Sequence, residues 1–327
     1  MTATISAKDV SELRKATGAG LMDCKKALQE SGGDYEGALD YLRKKGQKVA
    51  AKRADRDTSE GVVVTVLNDA GTEGIVLALS CETDFVAKNE GFVALATQIA
   101  ELGLKNGIST KEEMVAAELD GTPISERLVA ETGKIGEKIE VSDLHLVKGE
   151  QLASYIHAGS KIGVLLSYKD GGKEGADQFF RSVAMHIAAM SPSIMSADEF
   201  DMELVERETE ALKGQIKVEN EDRERLGKPL KNVPQYASKC QLTPEVMAQV
   251  EADIKEQLKA EGKPEKIWDK IVPGKIERFI ADNTLLDQER CLLNQFFALD
   301  DSKTVEAAVK DFHADAAVVD FKRVAVG

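Results

Sequence analysis

Apolar positions along the chain change period several times, and each change marks an element. Ser6 and Asp9 form a capping pair, after which Val10 and Leu13 repeat at helical spacing until Gly18 and Gly20. Leu21, Cys24 and Leu28 predict a second helix stopped by Gly32-Gly33. Asp34 then caps a third, through Ala38, Leu39 and Leu42, that should end at Gly46. The period then falls to two. Gly61–Leu67, a turn at Asn68–Gly71 and Gly74–Leu79 predict a β-hairpin, followed by a helix through Phe92, Leu95, Ala96 and Ile99. A similar order recurs: Ala153–Ile156, a turn with Gly159, Ile162–Leu166, then a helix through Phe180, Val183, Ala184 and Ile187. Two related hairpin-plus-helix subdomains are expected.

Residues 198–281 are helical in pattern and highly charged. Val205, Leu212 and Ile216 make one narrow stripe; Met247, Val250, Ile254 and Leu258 make another behind Thr243-Pro244. These stripes predict an antiparallel helical hairpin projecting from the body and broken into segments by prolines. Gly-Lys-Pro occurs twice, at 227–229 and 262–264. Ser302 should start a last helix through Val305, Val309 and Phe312, before a strand over Ala317–Val326. The fold class expected is α+β: a three-helix unit with its connector over 1–54, core subdomains over 55–148 and 149–327, and the hairpin inserted in the second.

Composition narrows the function. The 327 residues carry 43 Lys and Arg against 57 Asp and Glu, a net charge of −14, which disfavours a phosphate backbone as the main partner. Cations do gather at Arg43, Lys44, Lys45, Lys48, Lys52, Arg53 and Arg56; without interleaved aromatics the strip reads as a solvated linker before a nucleic-acid contact. The four cysteines are scattered, as free thiols in a reducing cytosol would be. The N-terminal residues lack the apolar core of a signal peptide, and no apolar run could span a bilayer. A soluble cytoplasmic protein is expected.

Chemistry is sparse. There is no GxxxxGK[ST], no GxGxxG after a strand, no HExxH and no GxSxG. His186, in an apolar helical run, reads as a packed core residue. Cys81 beside Glu82 has no histidine placed to activate it as a nucleophile. No cofactor, metal site or catalytic residue is expected, which points to a binding protein.

Two segments carry a family resemblance. Leu13–Leu28, with Gly33-Asp34 and Tyr41–Gly46, resembles the N-terminal signature of bacterial translation elongation factor Ts, and Cys81–Asn89 is similar to its core signature. Tyr155–Val164 and Ala184–Ala188 match further family segments. The resemblance implies a ubiquitin-associated-like N-terminal domain and a non-enzymatic guanine-nucleotide exchange factor for elongation factor Tu. That partner is met in its GDP-bound and nucleotide-free forms, with no direct nucleotide binding and no membrane or nucleic-acid partner. By resemblance, Thr83, Asp84, Phe85 and Val86 wedge into the partner's GTP-binding domain and dislocate its Mg²⁺. Leu13, Thr17, Gly18, Met22, Lys25 and His157 would lie near docking contacts. Without the resemblance, Thr83 or Asp84 is a helix cap and Phe85 a core anchor. About Lys228 to Lys263 reads as an insertion relative to shorter family members. The alternatives are a ribosome- or nucleic-acid-associated protein using the basic strip, and a ubiquitin-associated-type adaptor.

Overall fold

The computed structural model describes residues 5–157 and 159–327. Its contacts separate two compact units: one holds the chain up to Ala188 together with Val318–Gly327, the other Ala189–Ala317.

The first unit begins with helices α1 (Ala7–Thr17), α2 (Leu21–Glu30) and α3 (Tyr35–Arg53). The Ser6 hydroxyl accepts the Asp9 N–H at 3.2 Å while Asp9 returns to the Ser6 N–H at 2.9 Å, so the capping pair is reciprocal. Asp34 accepts the Gly37 N–H at 2.7 Å to start α3. Val10, Leu13, Cys24, Ala27, Leu28 and Ala38 form the small core. Two expectations change. Helix α3 runs through Gly46 to Arg53, because Gly46 is a buried contact point rather than a stop. Leu21 lies outside the core and is exposed.

Strands β1 (Glu60–Leu67) and β2 (Glu73–Cys81) form the expected hairpin, in antiparallel register from Glu60 opposite Cys81 to Leu67 opposite Gly74. The chain then makes the single turn α4 (Asp84–Ala87), helices α5 (Glu90–Asn106) and α6 (Lys111–Ala116), a short ribbon of β3 (Glu118–Leu119) and β4 (Thr122–Pro123), and helix α7 (Ile124–Ile135). Strand β5 (Glu140–Lys148) joins antiparallel to β2, so the first sheet is ordered β1-β2-β5. Next come β6 (Gln151–His157), β7 (Ile162–Lys169) and helix α8 (Ala176–Met190).

Strand β2 is buried along nearly its whole length because both faces are covered. Ile75, Leu77, Leu79 and Cys81 pack on Phe92, Ala96 and Ile99 of α5. Val76 and Ala78 point the other way, into a layer with Leu152, Leu165 and Val324 of the second sheet. Gly163 permits that approach, since a Cβ there would lie 2.5 Å from a Val63 methyl. His186 is fully buried in α8, as its apolar context predicts.

The second unit contains α9 (Met202–Arg225), α10 (Pro244–Ala260), α11 (Trp268–Asp282) and α12 (Leu285–Arg290). It continues with β8 (Phe296–Phe297), β9 (Asp300–Thr304) and α13 (Val305–Phe312). Both Gly-Lys-Pro segments are helix stops. Gly227 and Gly262 adopt left-handed φ of 65° and 72°, and the following lysine N–H groups close onto Arg223 and Leu258 carbonyls. The helical pairing differs from the stripes' prediction: Val250, Ile254 and Leu258 of α10 pack on Val272, Trp268 and Ile276 of α11, not on α9. Val205 of α9 instead packs with Ala237 and Leu286. Pro273 lies inside α11 without ending it. The last helix is capped by Thr304, whose hydroxyl accepts the Ala307 N–H; Ser302 lies in β9. The final strand, β10 (Ala317–Ala325), completes the second sheet of the first unit, ordered β10-β7-β6.

Candidate partner-binding site

Strand β2 ends at Cys81, and the chain turns at once into α4. Ala87 is buried and Val86 half-buried against the α5 core, which fixes one side of the turn. Phe85 falls on the other side and is 84% exposed. It is therefore not a core anchor. Thr83 occupies the cap position but does not cap: its hydroxyl donates to one Glu137 oxygen at 2.7 Å and its N–H to the other at 3.0 Å.

Asp84 pairs with Lys88 at 2.6 Å. The hydrogen bond from Lys88 holds the Asp84 carboxyl below the usual carboxylate range. Next to Thr83, the Glu82 carboxylate has Arg53 Nη1 2.7 Å from both its oxygens and accepts the Lys138 N–H at 2.7 Å. Burial alone would raise the Glu82 carboxyl; the Lys138 N–H and the Arg53 guanidinium outweigh it and hold it below its ordinary range. Burial pushes the Cys81 thiol up to about 11, with the Glu137 charge adding to it. A thiol so protonated at neutral pH is not a nucleophile.

The Phe85 ring borders a cleft of about 460 Å³ that Val86, Phe92, Leu95, Ile135 and Lys134 also line. The β6–β7 turn approaches the same end of the sheets. Lys161 pairs with Glu60 at 2.8 Å, and its charge contributes to the depression of Asp84. His157, at the end of β6, is exposed, with its Nδ1 3.0 Å from the Tyr155 hydroxyl.

The remaining expected residues lie on the three-helix unit. Met22 is 70% exposed and Lys25 is exposed, beside the exposed Leu21. Gly18 is the left-handed cap of α1, at φ 68°. A Cβ at Gly18 would lie 2.7 Å from Lys134 Cε, so the same lysine that lines the Phe85 cleft reaches across to α1. Thr17 is half-buried and donates to the Leu13 carbonyl at 2.7 Å. Leu13 is fully buried, part of the three-helix core beneath the α1–α2 surface.

The basic strip is corrected. All of it but Arg56 lies in α3 rather than in a linker, and four of its seven cations are already in ion pairs. Arg43 and Lys44 pair with Asp40, Lys45 with Asp23, and Arg53 with Glu82. Glu82, Glu137, Arg53 and Lys134 were not singled out as site residues. Glu82 lies within the core signature and is readable from it, whereas Glu137 meets Thr83 across 54 positions and leaves no local signal. Among the described residues no group of three or more His, Cys, Asp or Glu could hold a metal, and no helix is long and apolar enough to cross a membrane.

Comparison with known proteins shows the family. The family model described as Elongation factor TS matches residues 82–233 and 231–327. Elongation factor Ts of Rhodopirellula baltica is 69% identical over 325 residues, 99% of each chain. That of Flavobacterium johnsoniae is 49% identical over 324 residues, again 99% of each. That of Helicobacter pylori strain 26695 is 43% identical over 333 residues, covering 99% of this chain and 94% of the relative. A mixed α+β chain with these matches is a translation elongation factor. It belongs to the elongation factor Ts family.

Proposed function

We propose that this chain is a guanine-nucleotide exchange factor that binds elongation factor Tu in its GDP form and promotes GDP release. The single observation that carries the reading is Phe85: a large apolar ring, 84% exposed, on a turn whose other side is packed into the core. An exposed ring beside a carboxylate suits insertion between packed helices of a partner. Asp84, released from Lys88, would perturb a magnesium shell built from oxygen ligands in that partner. The three-helix unit, ubiquitin-associated-like in this reading, docks on the same partner domain through Met22, Lys25 and the Gly18 turn. His157 supplies a second contact from the β6–β7 end.

Exchange follows from linkage, not bond chemistry. A protein that binds the nucleotide-free partner tightly weakens GDP binding by the same factor by which GDP weakens its own. No covalent step belongs to this chain, and it acts in the cytoplasm, where elongation runs. The nucleic-acid alternative is less well supported, because four of the seven cations in the strip it would use are held in internal ion pairs.

The test is direct. Elongation factor Tu is loaded with a fluorescent GDP, and release is followed on adding this chain. Acceleration that saturates with concentration is expected, and unchanged release at micromolar protein would defeat the reading. Acceleration that is unaltered in Phe85→Ala would leave exchange standing and remove the wedge.

A further inference from the structure

We infer that Glu137 and Arg53 are positioning residues for the Phe85 contact: neither meets the partner, and together they lock the turn that presents the ring. This rests on the exchange reading above.

Helix α4 is a single turn of four residues with no side-chain cap of its own. A turn of that length does not hold itself together in water. Ala87 and Val86 anchor one side of it in the α5 core, and its N-terminal end is held from elsewhere in the chain. The Glu137 carboxylate takes both the N–H and the hydroxyl of Thr83, while the N–H of the next residue, Lys138, reaches Glu82. Residues 82–83 and 137–138 thus clasp each other twice. Arg53, the last residue of α3, adds a third tie by pairing with Glu82 at 2.7 Å. Through it the base of the wedge is fixed to the helix that also builds the docking unit.

Such a clasp matters because the ring has somewhere else to go. The cleft beside Phe85 has an apolar surface made by Val86, Phe92, Leu95 and Ile135, flanked by the polar Gln98, Arg127, Glu131 and Lys134, and that apolar part would accept an aromatic side chain. If the turn were loose, the ring could fold onto that surface and bury itself. Together with the packing of Val86 and Ala87, the clasp holds α4 where Phe85 stays outside. Small displacements of a positioned group are expensive for a step that depends on geometry.

The experiment compares the full-length chain with Glu137→Ala, Glu137→Gln, Phe85→Ala and the double variant Glu137→Ala/Phe85→Ala. Each is assayed on elongation factor Tu loaded with fluorescent GDP. Glu137→Ala is expected to lower the saturating release rate about tenfold, with the half-saturating concentration changed far less. Glu137→Gln keeps an acceptor for the Thr83 N–H and a donor for its hydroxyl, so it should restore the rate. Since Glu137 acts through Phe85, the double variant should be no slower than Phe85→Ala alone. Arg53→Ala should behave like Glu137→Ala, and more weakly.

Wild-type release from Glu137→Ala overturns the inference, as does a double variant in which the two losses multiply. If Glu137→Ala does not fold by circular dichroism, Thr83→Val removes the hydroxyl donor alone and carries the same comparison. A wild-type chain that fails to accelerate release defeats the exchange reading and this inference with it. An active wild-type chain with an indifferent Glu137 defeats only the inference.

Discussion

Gly46 in α3 and Gly133 in α7 meet with no side chain between them: a Cβ on Gly133 would lie 2.5 Å from the Gly46 Cα. Two helices can approach this closely only where both surfaces are bare. The contact packs α3 onto α7 beside Lys134, the residue that reaches both Gly18 and the Phe85 cleft. Gly46 is therefore the reverse of a helix stop.

The two glycines should respond unequally to alanine. At Gly133 the obstacle is backbone, which cannot swing aside, so Gly133→Ala must push α3 off α7. A loss of about 1–3 kcal/mol is expected from overpacking, despite the roughly 1 kcal/mol that alanine gains in helix propensity. At Gly46 the nearest obstacle is the Val129 carbonyl oxygen at 3.4 Å, an ordinary contact. Gly46→Ala should therefore lie within about 1 kcal/mol of wild type. Urea unfolding of the two variants decides, and equal losses would mean that the close approach is not specific to Gly133.

Phe85 and Phe92 are seven residues apart and should differ sharply. Phe85→Ala removes an exposed ring and should change unfolding free energy by less than about 0.5 kcal/mol. Phe92 is 3% exposed in the α5 core, and Phe92→Ala should cost about 3–5 kcal/mol. Thermal or urea unfolding of both supplies the control that the exchange assay needs. A cost at Phe85 approaching that at Phe92 would show that the ring is buried in solution.

What was readable in the chain follows a physical divide. Hairpins, caps and helix stops use neighbours in sequence, so Ser6-Asp9, Thr243-Pro244 and the two Gly-Lys-Pro segments declare themselves. A helical stripe declares that a partner exists but not which one. Val250, Ile254 and Leu258 suited α9 as well as α11, and only the fold chose. A glycine letter is likewise ambiguous between a stop and a close approach: Gly227 is the first, Gly46 the second. At the candidate site the motif gave Phe85 and its neighbours, but nothing local marks Glu137.

Glu82 predicts a pH dependence. Its carboxyl is held below the ordinary 4.5 in the folded chain, since its partners outweigh burial. A lowered folded value means stability fully present above the unfolded value and lost as pH falls through the folded one. The free-energy gap between wild type and Glu82→Gln should therefore be flat at neutral pH. It should close as acid protonates Glu82 below about pH 4.5. Other carboxylates, including Asp84, titrate in both proteins and cancel in the difference. A gap that is unchanged into strong acid would mean that the Arg53–Glu82 pair is not stabilising.

Asp287 should behave in the opposite sense. It is fully buried in α12, with Oδ2 accepting the Lys239 N–H at 2.7 Å and Oδ1 without a partner. Burial raises its carboxyl above the ordinary 3.8, and the Ser238 hydroxyl and Lys239 offset this only in part. A raised folded value means that the native state holds a proton the unfolded chain has released. Ionised Asp287 then costs stability, a penalty that grows as pH rises through 3.8 and is complete above the folded value. Asp287→Asn keeps an acceptor for the Lys239 N–H and cannot ionise. It should be more stable than wild type at neutral pH, with the advantage shrinking as acid protonates the wild-type carboxyl. Urea midpoints measured from neutral pH down to about pH 4 test this. An asparagine variant that is weaker throughout would show that the attraction between the carboxylate and Lys239 exceeds the cost of burying its unpartnered oxygen.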